Sequence, residues 1–227
     1  MASPSQIENK HMHCIVTAGP TYETMDNVRR LTNFSTGRLG TELANFLSSK
    51  SHDVTLLIGE QATHCGERRP KKIEVFSTTA DLRKKLSASS AKSADAVFHA
   101  AAVSDFMFGK IWLRSTAGKL TQIKSGKIST RSGTLLAELV PTPKIISELR
   151  SFFPNARIIG WKYEVDGNRA SVIKKAAQQI AENKTDACVA NGKAYGLGFG
   201  LVTGDGKVVP FRDVKKLFAQ LEEFARR

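Results

Sequence analysis

The sequence predicts an α/β protein with a three-layer, Rossmann-like fold and a mostly parallel sheet. Short apolar, β-branched runs alternate with amphipathic helical patterns along most of the 227 residues. The strand-like runs read HCIVTA, DVTLLI, KIEVF, ADAVFHAA, ARIIGW and DACVA. Strands that alternate with helices are joined by right-handed crossovers, and these cover both faces of a parallel sheet with helices.

Five helical patterns separate or follow these strands. GRLGTELANFLSSK follows the first strand, TADLRKKLSASS follows KIEVF, and PKIISELRSFF precedes ARIIGW. RASVIKKAAQQIAEN and DVKKLFAQLEEFARR each place their apolar residues on one face. We predict a flexible N-terminal tail over residues 1–12 and a single domain over residues 13–227.

Residues 107–140 interrupt the alternation of strands and helices. This segment is rich in Lys, Gly, Ser and Thr, and strand-like alternation occurs at LTQIK and TLLAELV. We predict a small β-hairpin excursion beside the main sheet, with a flexible basic turn around residues 124–133 that is able to act as a lid.

Charge and cysteine usage limit the classes of function. Lys and Arg number 34 against 21 Asp and Glu, for a net charge of +13, which predicts attraction to nucleic acid, acidic membranes or phosphorylated small molecules, or serves solubility alone. With three Tyr, two Trp and no recognised binding motif, we expect no nucleic-acid partner. Cys14, Cys65 and Cys188 form no C-x-x-C pair, which favours a reducing cytoplasm over a disulfide or zinc scaffold. The chain shows no signal core and no membrane-spanning run, so we expect a cytoplasmic protein with no membrane partner.

The standard nucleotide fingerprints are missing. The chain has no G-x-x-x-x-G-K-[ST] string, and G-x-G-x-x-G does not follow the first strand. GLGFG precedes strand-like LVTG rather than a helix, and no Tyr-x-x-x-Lys pair occurs. These absences argue against an NAD(P)-dependent oxidoreductase.

Unusual loops follow four of the predicted strands, where ligands bind in open parallel sheets. STGRLG begins a helix and is able to hold phosphate through backbone N–H groups and the hydroxyls of Ser35 and Thr36. Taken alone, the hexamer fits an ordinary N-cap followed by a tight turn better. Asp105 follows AAVS and suits a nucleotide hydroxyl or base amine, or a loop cap. Lys127 suits a lid lysine or a solvated one. Glu164 and Asp166 fit acid–base, metal-binding or helix-capping roles.

The motifs together resemble those of the phosphopantothenate–cysteine ligase family. TAGPTYETMDNVRRLTNFSTGRLG is similar to the family's opening T-A-G-P-T…D-x-V-R…N-x-S-S-G-x-x-G. AAVSDF, GKISTRSGTLLAELVPTPKII, GWKYEVD and DACVAN resemble its later motifs, in the family's order, from about residue 13 to the C-terminus. The family's flavin-binding decarboxylase half has no counterpart in this sequence, so the resemblance implies a stand-alone ligase without flavin.

The resemblance implies a two-step reaction. The carboxylate of 4′-phosphopantothenate attacks the α-phosphate of CTP or ATP and releases pyrophosphate; the amine of cysteine then displaces the nucleoside monophosphate. It also implies Mg²⁺, a homodimer and a separate flavin-dependent decarboxylase as a possible partner.

Residue roles are implied in the same way. Asn33 and Lys127 are the implied catalytic residues, and Arg29 and Asn33 bind the phosphopantothenate part. The implied nucleotide-binding set is Gly19, Ser35, Thr36, Gly37, Ala101, Ala102, Asp105, Lys127, Thr142, Pro143, Ile145, Trp161, Lys162 and Asn191.

Three positions depart from the bacterial pattern of the family. Lys144 stands where Asp is usual, and Gln179 and Asn183 align with two triphosphate-binding lysines. We hypothesise that Lys162 supplies part of the lost charge, and Lys174, Lys175 or Lys184 are alternatives. These departures keep open a non-catalytic nucleotide-binding or regulatory relative of the family.

Overall fold

The computed structural model describes residues 11–89, 93–129 and 133–227 and confirms the predicted fold class. An eight-stranded sheet runs through its centre in the order β13-β12-β11-β10-β6-β1-β4-β5. The strands are β1 (His13–Ala18), β4 (Asp53–Gly59), β5 (Lys72–Phe76), β6 (Ala96–His99), β10 (Arg157–Tyr163), β11 (Ala187–Asn191), β12 (Phe199–Thr203) and β13 (Val208–Phe211). All neighbours from β11 to β5 pair in parallel, while β12 and β13 add an antiparallel edge. The strand-like LVT of the sequence lies in β12, whereas β13 was not predicted.

Helices cover both faces of this sheet. They are α1 (Arg38–Ser49), α2 (Thr79–Ser89), α3 (Ile145–Phe152), α4 (Arg169–Asn183) and α5 (Val214–Arg226). Alternate residues of β1 point to opposite faces: Val16 packs with Leu43 of α1 and Leu221 of α5, while Ile15 packs in the cluster of α2 and α3. This alternation produces the three layers.

Two smaller sheets lie beside the main one. A short antiparallel hairpin consists of β2 (Tyr22–Thr24) and β3 (Arg30–Thr32). The excursion predicted as a hairpin is a three-stranded antiparallel sheet in the order β8-β7-β9, made of β7 (Phe106–Arg114), β8 (Leu120–Ile123) and β9 (Thr134–Pro141). The additional strand β7 carries a break in its register between Phe108 and Ile111, which disturbs the period-2 pattern that identifies a strand from sequence. Part of the predicted basic turn, residues 130–132, lies outside the described residues.

The predicted N-terminal tail extends too far along the chain. Residues 1–10 lie outside the described residues, but Met12 is fully buried in the core, and its N–H donates to His52 Nδ1 at 3.2 Å. The other ring nitrogen of His52 lies 3.0 Å from the carboxylate of Glu222 on α5. The chain is therefore ordered by residue 12, because Met12 packs beneath the last helix. Over the described ranges, no helix has both the length and the apolar composition needed to cross a bilayer.

Candidate active site

The carboxyl ends of the central strands β1 and β6 are joined through the backbone of Ala102. Its N–H donates to the carbonyl of Gly19 at 2.9 Å, and its carbonyl accepts from the N–H of Thr21 at 3.2 Å. The Asn33 side chain donates to the same carbonyl through Nδ2 at 3.1 Å. Gly19 has a φ of +79°, a conformation that side chains of L-residues rarely adopt. The junction thus places Asn33 between the first two strand ends.

Hydroxyl groups extend this junction towards a neighbouring loop. Thr21 Oγ1 is fully buried, accepts from the N–H of Ser104 at 2.8 Å, and lies 3.2 Å from Ser104 Oγ and 3.3 Å from Thr79 Oγ1. The carbonyl of Ser104 accepts a hydrogen bond from the hydroxyl of Thr142, which follows β9. Thr142 also donates its N–H to the carbonyl of Asp105 at 3.0 Å. Buried hydroxyls that satisfy one another fix the relative positions of these loops.

The predicted anion turn lies directly beside β1. Helix α1 begins at Arg38, and Gly37 is its N-cap residue with a φ of +78°. A Cβ at Gly37 would lie 3.3 Å from the Cα of Gly19 and 2.9 Å from the Cβ of Ala62, so only glycine permits this close approach. Thr36 Oγ1 accepts from the N–H of Arg38 at 3.3 Å. The predicted helix start is confirmed; phosphate binding by Ser35, Thr36 and Gly37 stays a prediction.

A cavity of about 440 Å³ opens between these strand ends and helices α3 and α4. Seven residues of the predicted nucleotide-binding set line it: Ala101, Asp105, Thr142, Pro143, Ile145, Trp161 and Lys162. They come from the ends of β6, β9 and β10 and from the first turn of α3. The topology therefore assembles residues 61 positions apart in sequence, from 101 to 162, around one space.

The lining of the cavity includes three lysines: Lys162, already named, and in addition Lys144 and Lys175. The carboxylate of Glu164 contacts two of them: Lys175 Nζ at 2.6 Å and Lys162 Nζ at 3.3 Å. The hydrogen bond from Lys175, together with Lys162, keeps the pKa of Glu164 below its ordinary value, so Glu164 is anionic at neutral pH. One carboxylate thus holds two ammonium groups from different elements at the same cavity.

Helix α4 carries Gln179 and Asn183, the two positions at which the sequence resemblance implies lysines in the bacterial pattern. Lys175, Gln179 and Asn183 are spaced by four residues and share one helix face at the cavity. Gln179 Nε2 donates to Cys188 Sγ at 3.3 Å, and Asn183 Nδ2 donates to the carbonyl of Gln179 at 2.7 Å. A cation is therefore present one turn before the first substituted position.

His99 is a cavity residue that sequence reasoning missed. It ends β6, is 6% exposed, and its Nδ1 lies 2.9 Å from the hydroxyl of Thr17. That hydroxyl oxygen accepts from the N–H of Ala101 at 3.1 Å, which leaves the hydroxyl proton available to Nδ1. Burial lowers the pKa of His99 to about 4, so the ring is neutral at pH 7. The available signal was a histidine at a predicted strand end, next to AAVS. Gln178 and Glu182 were missed too, because helix-face polarity does not reveal a cavity.

Two predicted nucleotide-binding residues carry polar atoms without partners. Trp161 Nε1 and Asn191 Oδ1 are buried, and neither has a hydrogen bond within the described residues. They lie near the carboxyl ends of the paired strands β10 and β11. Since buried polar groups almost always have partners, this donor and this acceptor are candidates for contact with a ligand or water.

Arg29 and Lys127 lie apart from the cavity. Arg29, on the turn between β2 and β3, contacts Asp26 at 3.3 Å and donates to the carbonyl of Ile128 at 2.7 Å. The exposed Lys127 therefore sits next to a residue that Arg29 binds. The predicted site thus falls into three groups: the cavity, the Ala102 junction with Gly19, Asn33 and the anion turn, and Arg29 with the segment that carries Lys127. Asn191 completes the strand-end row beyond the cavity.

The fold and this edge define a Rossmann-like α/β protein with a polar, lysine-lined cavity at the carboxyl ends of its strands. The sequence model of the DNA/pantothenate metabolism flavoprotein C-terminal domain matches residues 9–217, and the chain belongs to this family. It is 33% identical over 194 residues to the coenzyme A biosynthesis bifunctional protein CoaBC of Thermococcus kodakarensis. That alignment covers 85% of this chain and 44% of the relative, so the chain spans less than half of that protein.

Solved structures share the fold. The DNA/pantothenate metabolism flavoprotein of Streptococcus pneumoniae superposes with a TM-score of 0.81 at 24% identity, covering 94% of this chain and 97% of the other. A Cab2 variant in complex with phosphopantothenate-cysteine superposes with a TM-score of 0.71 at 20% identity, covering 95% and 86%. At these identities the superpositions establish the common fold.

The buried state of His99 predicts a specific pH dependence of stability. Unfolding returns the imidazole to its ordinary pKa of 6.5, so between about pH 4 and 6.5 the unfolded chain binds a proton that the native chain does not. Stability should therefore rise with pH across this window, by about 3 kcal/mol at most from this group. Urea unfolding at several pH values should show a clearly smaller rise in His99→Gln than in the wild type. Equal pH dependence in both proteins would show that His99 titrates normally.

Proposed function

We propose that this chain is a ligase of coenzyme A biosynthesis that joins 4′-phosphopantothenate to cysteine through an acyl-nucleotide. The observation that carries the proposal is the cavity, which brings seven predicted nucleotide-binding residues, Lys162 among them, together with two further lysines in a chain of this family. Relatives support the substrate class: CoaBC is a coenzyme A biosynthesis protein, and the Cab2 variant was solved with phosphopantothenate-cysteine.

In the first step, a carboxylate oxygen of phosphopantothenate bonds to the α-phosphorus of the nucleotide, and the bond to the pyrophosphate oxygen breaks. The reacting groups are all anionic, so fixed cations and N–H donors should contribute most of the rate acceleration. Lys144, Lys162 and Lys175 lie where they can contact the phosphate chain at the cavity. The N-terminal turn of α1 adds N–H groups beside β1.

In the second step, the cysteine amine bonds to the acyl carbonyl carbon, loses a proton, and the nucleoside monophosphate leaves. Charge develops on the carbonyl oxygen, which requires a donor. Asn33 fits this role because its amide is positioned by the Ala102 carbonyl at the strand ends, and its side chain is exposed. Lys127 is the second proposed catalytic group, and its exposed side chain acts as a cation on the phosphates.

The co-substrate is proposed to be CTP or ATP with Mg²⁺. Mg²⁺ usually keeps several waters and binds through substrate phosphates with one or two carboxylates, so it requires no dedicated cluster. Asp105 supplies a carboxylate at the cavity, and its side chain has no ion pair among the described residues. Asp105 is also placed to accept from a nucleotide hydroxyl or base amine. The unpaired Trp161 Nε1 and Asn191 Oδ1 offer one donor and one acceptor for the same ligand.

The proposed assembly is a homodimer in the cytoplasm. Large apolar side chains are exposed on the three-stranded sheet, which is unusual for a free surface: Phe106, Met107, Leu120, Leu136 and Leu139. Successive strand residues point to opposite faces, so a second copy of the chain packed on one face would bury the apolar side chains of that face. The ligase chemistry involves no flavin, so we propose that none binds this domain and that a flavin-dependent decarboxylase acting on the product is a separate partner.

A pyrophosphate-release assay tests the function. The protein is incubated with 4′-phosphopantothenate, cysteine and Mg²⁺, with either CTP or ATP. We expect release with at least one nucleotide, dependent on phosphopantothenate. Asn33→Asp should slow release of the monophosphate more than it weakens nucleotide binding, because it loses the donor for the second step. The absence of release with both nucleotides would favour a non-catalytic relative, consistent with the substitutions at Lys144, Gln179 and Asn183.

The lysines bound by Glu164 should determine nucleotide affinity. We expect Lys162→Ala and Lys175→Ala each to raise the dissociation constant for the nucleoside triphosphate about tenfold, the lower end of what a charged hydrogen bond contributes at partly exposed sites. Isothermal titration calorimetry measures this directly. Lys174→Ala is the matched control, because Lys174 neighbours Lys175 on α4 but does not line the cavity. Unchanged affinity in both lysine variants would refute the assignment.

A further inference from the structure

The turn between β2 and β3 binds the backbone on both sides of Lys127. Asn27 donates its N–H to the carbonyl of Gly126 at 2.9 Å. The N–H of Ile128 donates to Asp26 Oδ2 at 3.2 Å, and the carbonyl of Ile128 accepts from Arg29 Nη2 at 2.7 Å. These three bonds join two segments about 100 residues apart in sequence. They hold the residue before Lys127 and the residue after it.

Asp26 is the centre of this arrangement. Its side chain is completely inaccessible to solvent, although it lies in a short turn. Oδ1 accepts from the N–H groups of Val28 at 2.8 Å and Arg29 at 2.7 Å, which shapes the turn. Oδ2 accepts from Ile128 and contacts Arg29 Nη1 at 3.3 Å. One carboxylate therefore organises the turn, orients the arginine and binds the opposite segment.

The segment opposite the turn, residues 125–128, is itself held in place by burial and by hydrogen bonds. Ile128 is 3% exposed, so its side chain anchors the segment in the protein. Ser125 Oγ accepts from the N–H of Lys127 at 3.3 Å and donates to its carbonyl at 2.8 Å. Lys127 itself is exposed, and its ammonium group makes no contact within the described ranges. The backbone is fixed on both sides of a side chain that is left available.

We propose that Asp26 and Arg29 form a clamp that positions Lys127 for the reaction. In this proposal Asp26 is a positioning residue that acts through Lys127, and Arg29 contributes through its bond to Ile128. The inference rests on the proposed function for the role of Lys127, whereas the clamp itself is a property of the fold. The two parts therefore require separate measurements.

Limited proteolysis tests the clamp without reference to any activity. Trypsin cleaves after Lys127 only when the surrounding backbone opens, so the cleavage rate reports the population of the open form. We expect Asp26→Ala to accelerate cleavage after Lys127 about tenfold, followed by mass spectrometry of the intact protein. Asp26→Asn, which keeps the shape of the side chain, should accelerate it to a smaller extent and guards against a general loss of folding.

Asp205→Ala is the matched control for proteolysis. Asp205 also caps a turn, accepting from Lys207 N–H at 3.2 Å and from the Thr203 hydroxyl, but it lies between β12 and β13. It should leave cleavage after Lys127 unchanged. Equal rates in the wild type, Asp26→Ala and Asp26→Asn would overturn the clamp.

A double-mutant cycle tests the positioning role. Asp26→Ala should lower the turnover number about tenfold in the wild type but have little further effect in Lys127→Ala, because the residue through which it acts is already missing. The same loss in both backgrounds would show that Asp26 does not act through Lys127. A wild type that releases no pyrophosphate would refute the proposed function and with it the positioning role, while the proteolysis result would still decide the clamp.

Discussion

The backbone junction at Ala102 is the constraint on which the rest of the site depends. Both polar groups of this residue bond to the chain that leaves β1, and the carbonyl also binds the Asn33 side chain. In a parallel sheet, the loops that leave the strands converge at the carboxyl ends of those strands. Gly19 adopts a left-handed conformation, and the next residue, Pro20, pairs in parallel with Ala102, so the chain that leads to β2 and β3 runs beside the loop that follows β6. The anion turn, the hydroxyl network and the clamp on residues 125–128 all follow from that position.

The carboxylate of Glu164 balances the positive charge of two lysines at the cavity. Lys162 and Lys175 would repel each other across the cavity if Glu164 did not contact both. The carboxylate keeps the ammonium groups close in the free protein, and an incoming phosphate chain can share them. On the described part of this edge, amides stand at Gln179 and Asn183, while two lysines of the cavity stand at the end of β10 and one turn earlier on α4.

Local patterns made most of the fold predictable, and long-range contacts account for what they missed. The parallel strands and all five helices follow from hydrophobic periodicity, which is a property of neighbouring residues. Strand β7 was missed because its register breaks near Gly109, and Met12 was assigned to a tail because its burial depends on His52, forty positions away. The site shows the same division. The motifs indicated which loops matter, but the neutral state of His99 depends on its burial beside Thr17, and the contact of Asp26 with Ile128 spans 102 positions. Patterns among neighbouring residues cannot predict contacts between residues so far apart in sequence.

A crystal structure of the protein with Mg²⁺ and a non-hydrolysable analogue of CTP or ATP would show whether the cavity between β10, α3 and α4 holds the nucleotide and whether Lys162 and Lys175 bind its phosphates. We expect density for the triphosphate within hydrogen-bond distance of Lys162 and Lys175, with Glu164 still contacting at least one of them. A nucleotide bound elsewhere on the chain, or one in the cavity whose phosphates contact neither lysine, would contradict the proposal.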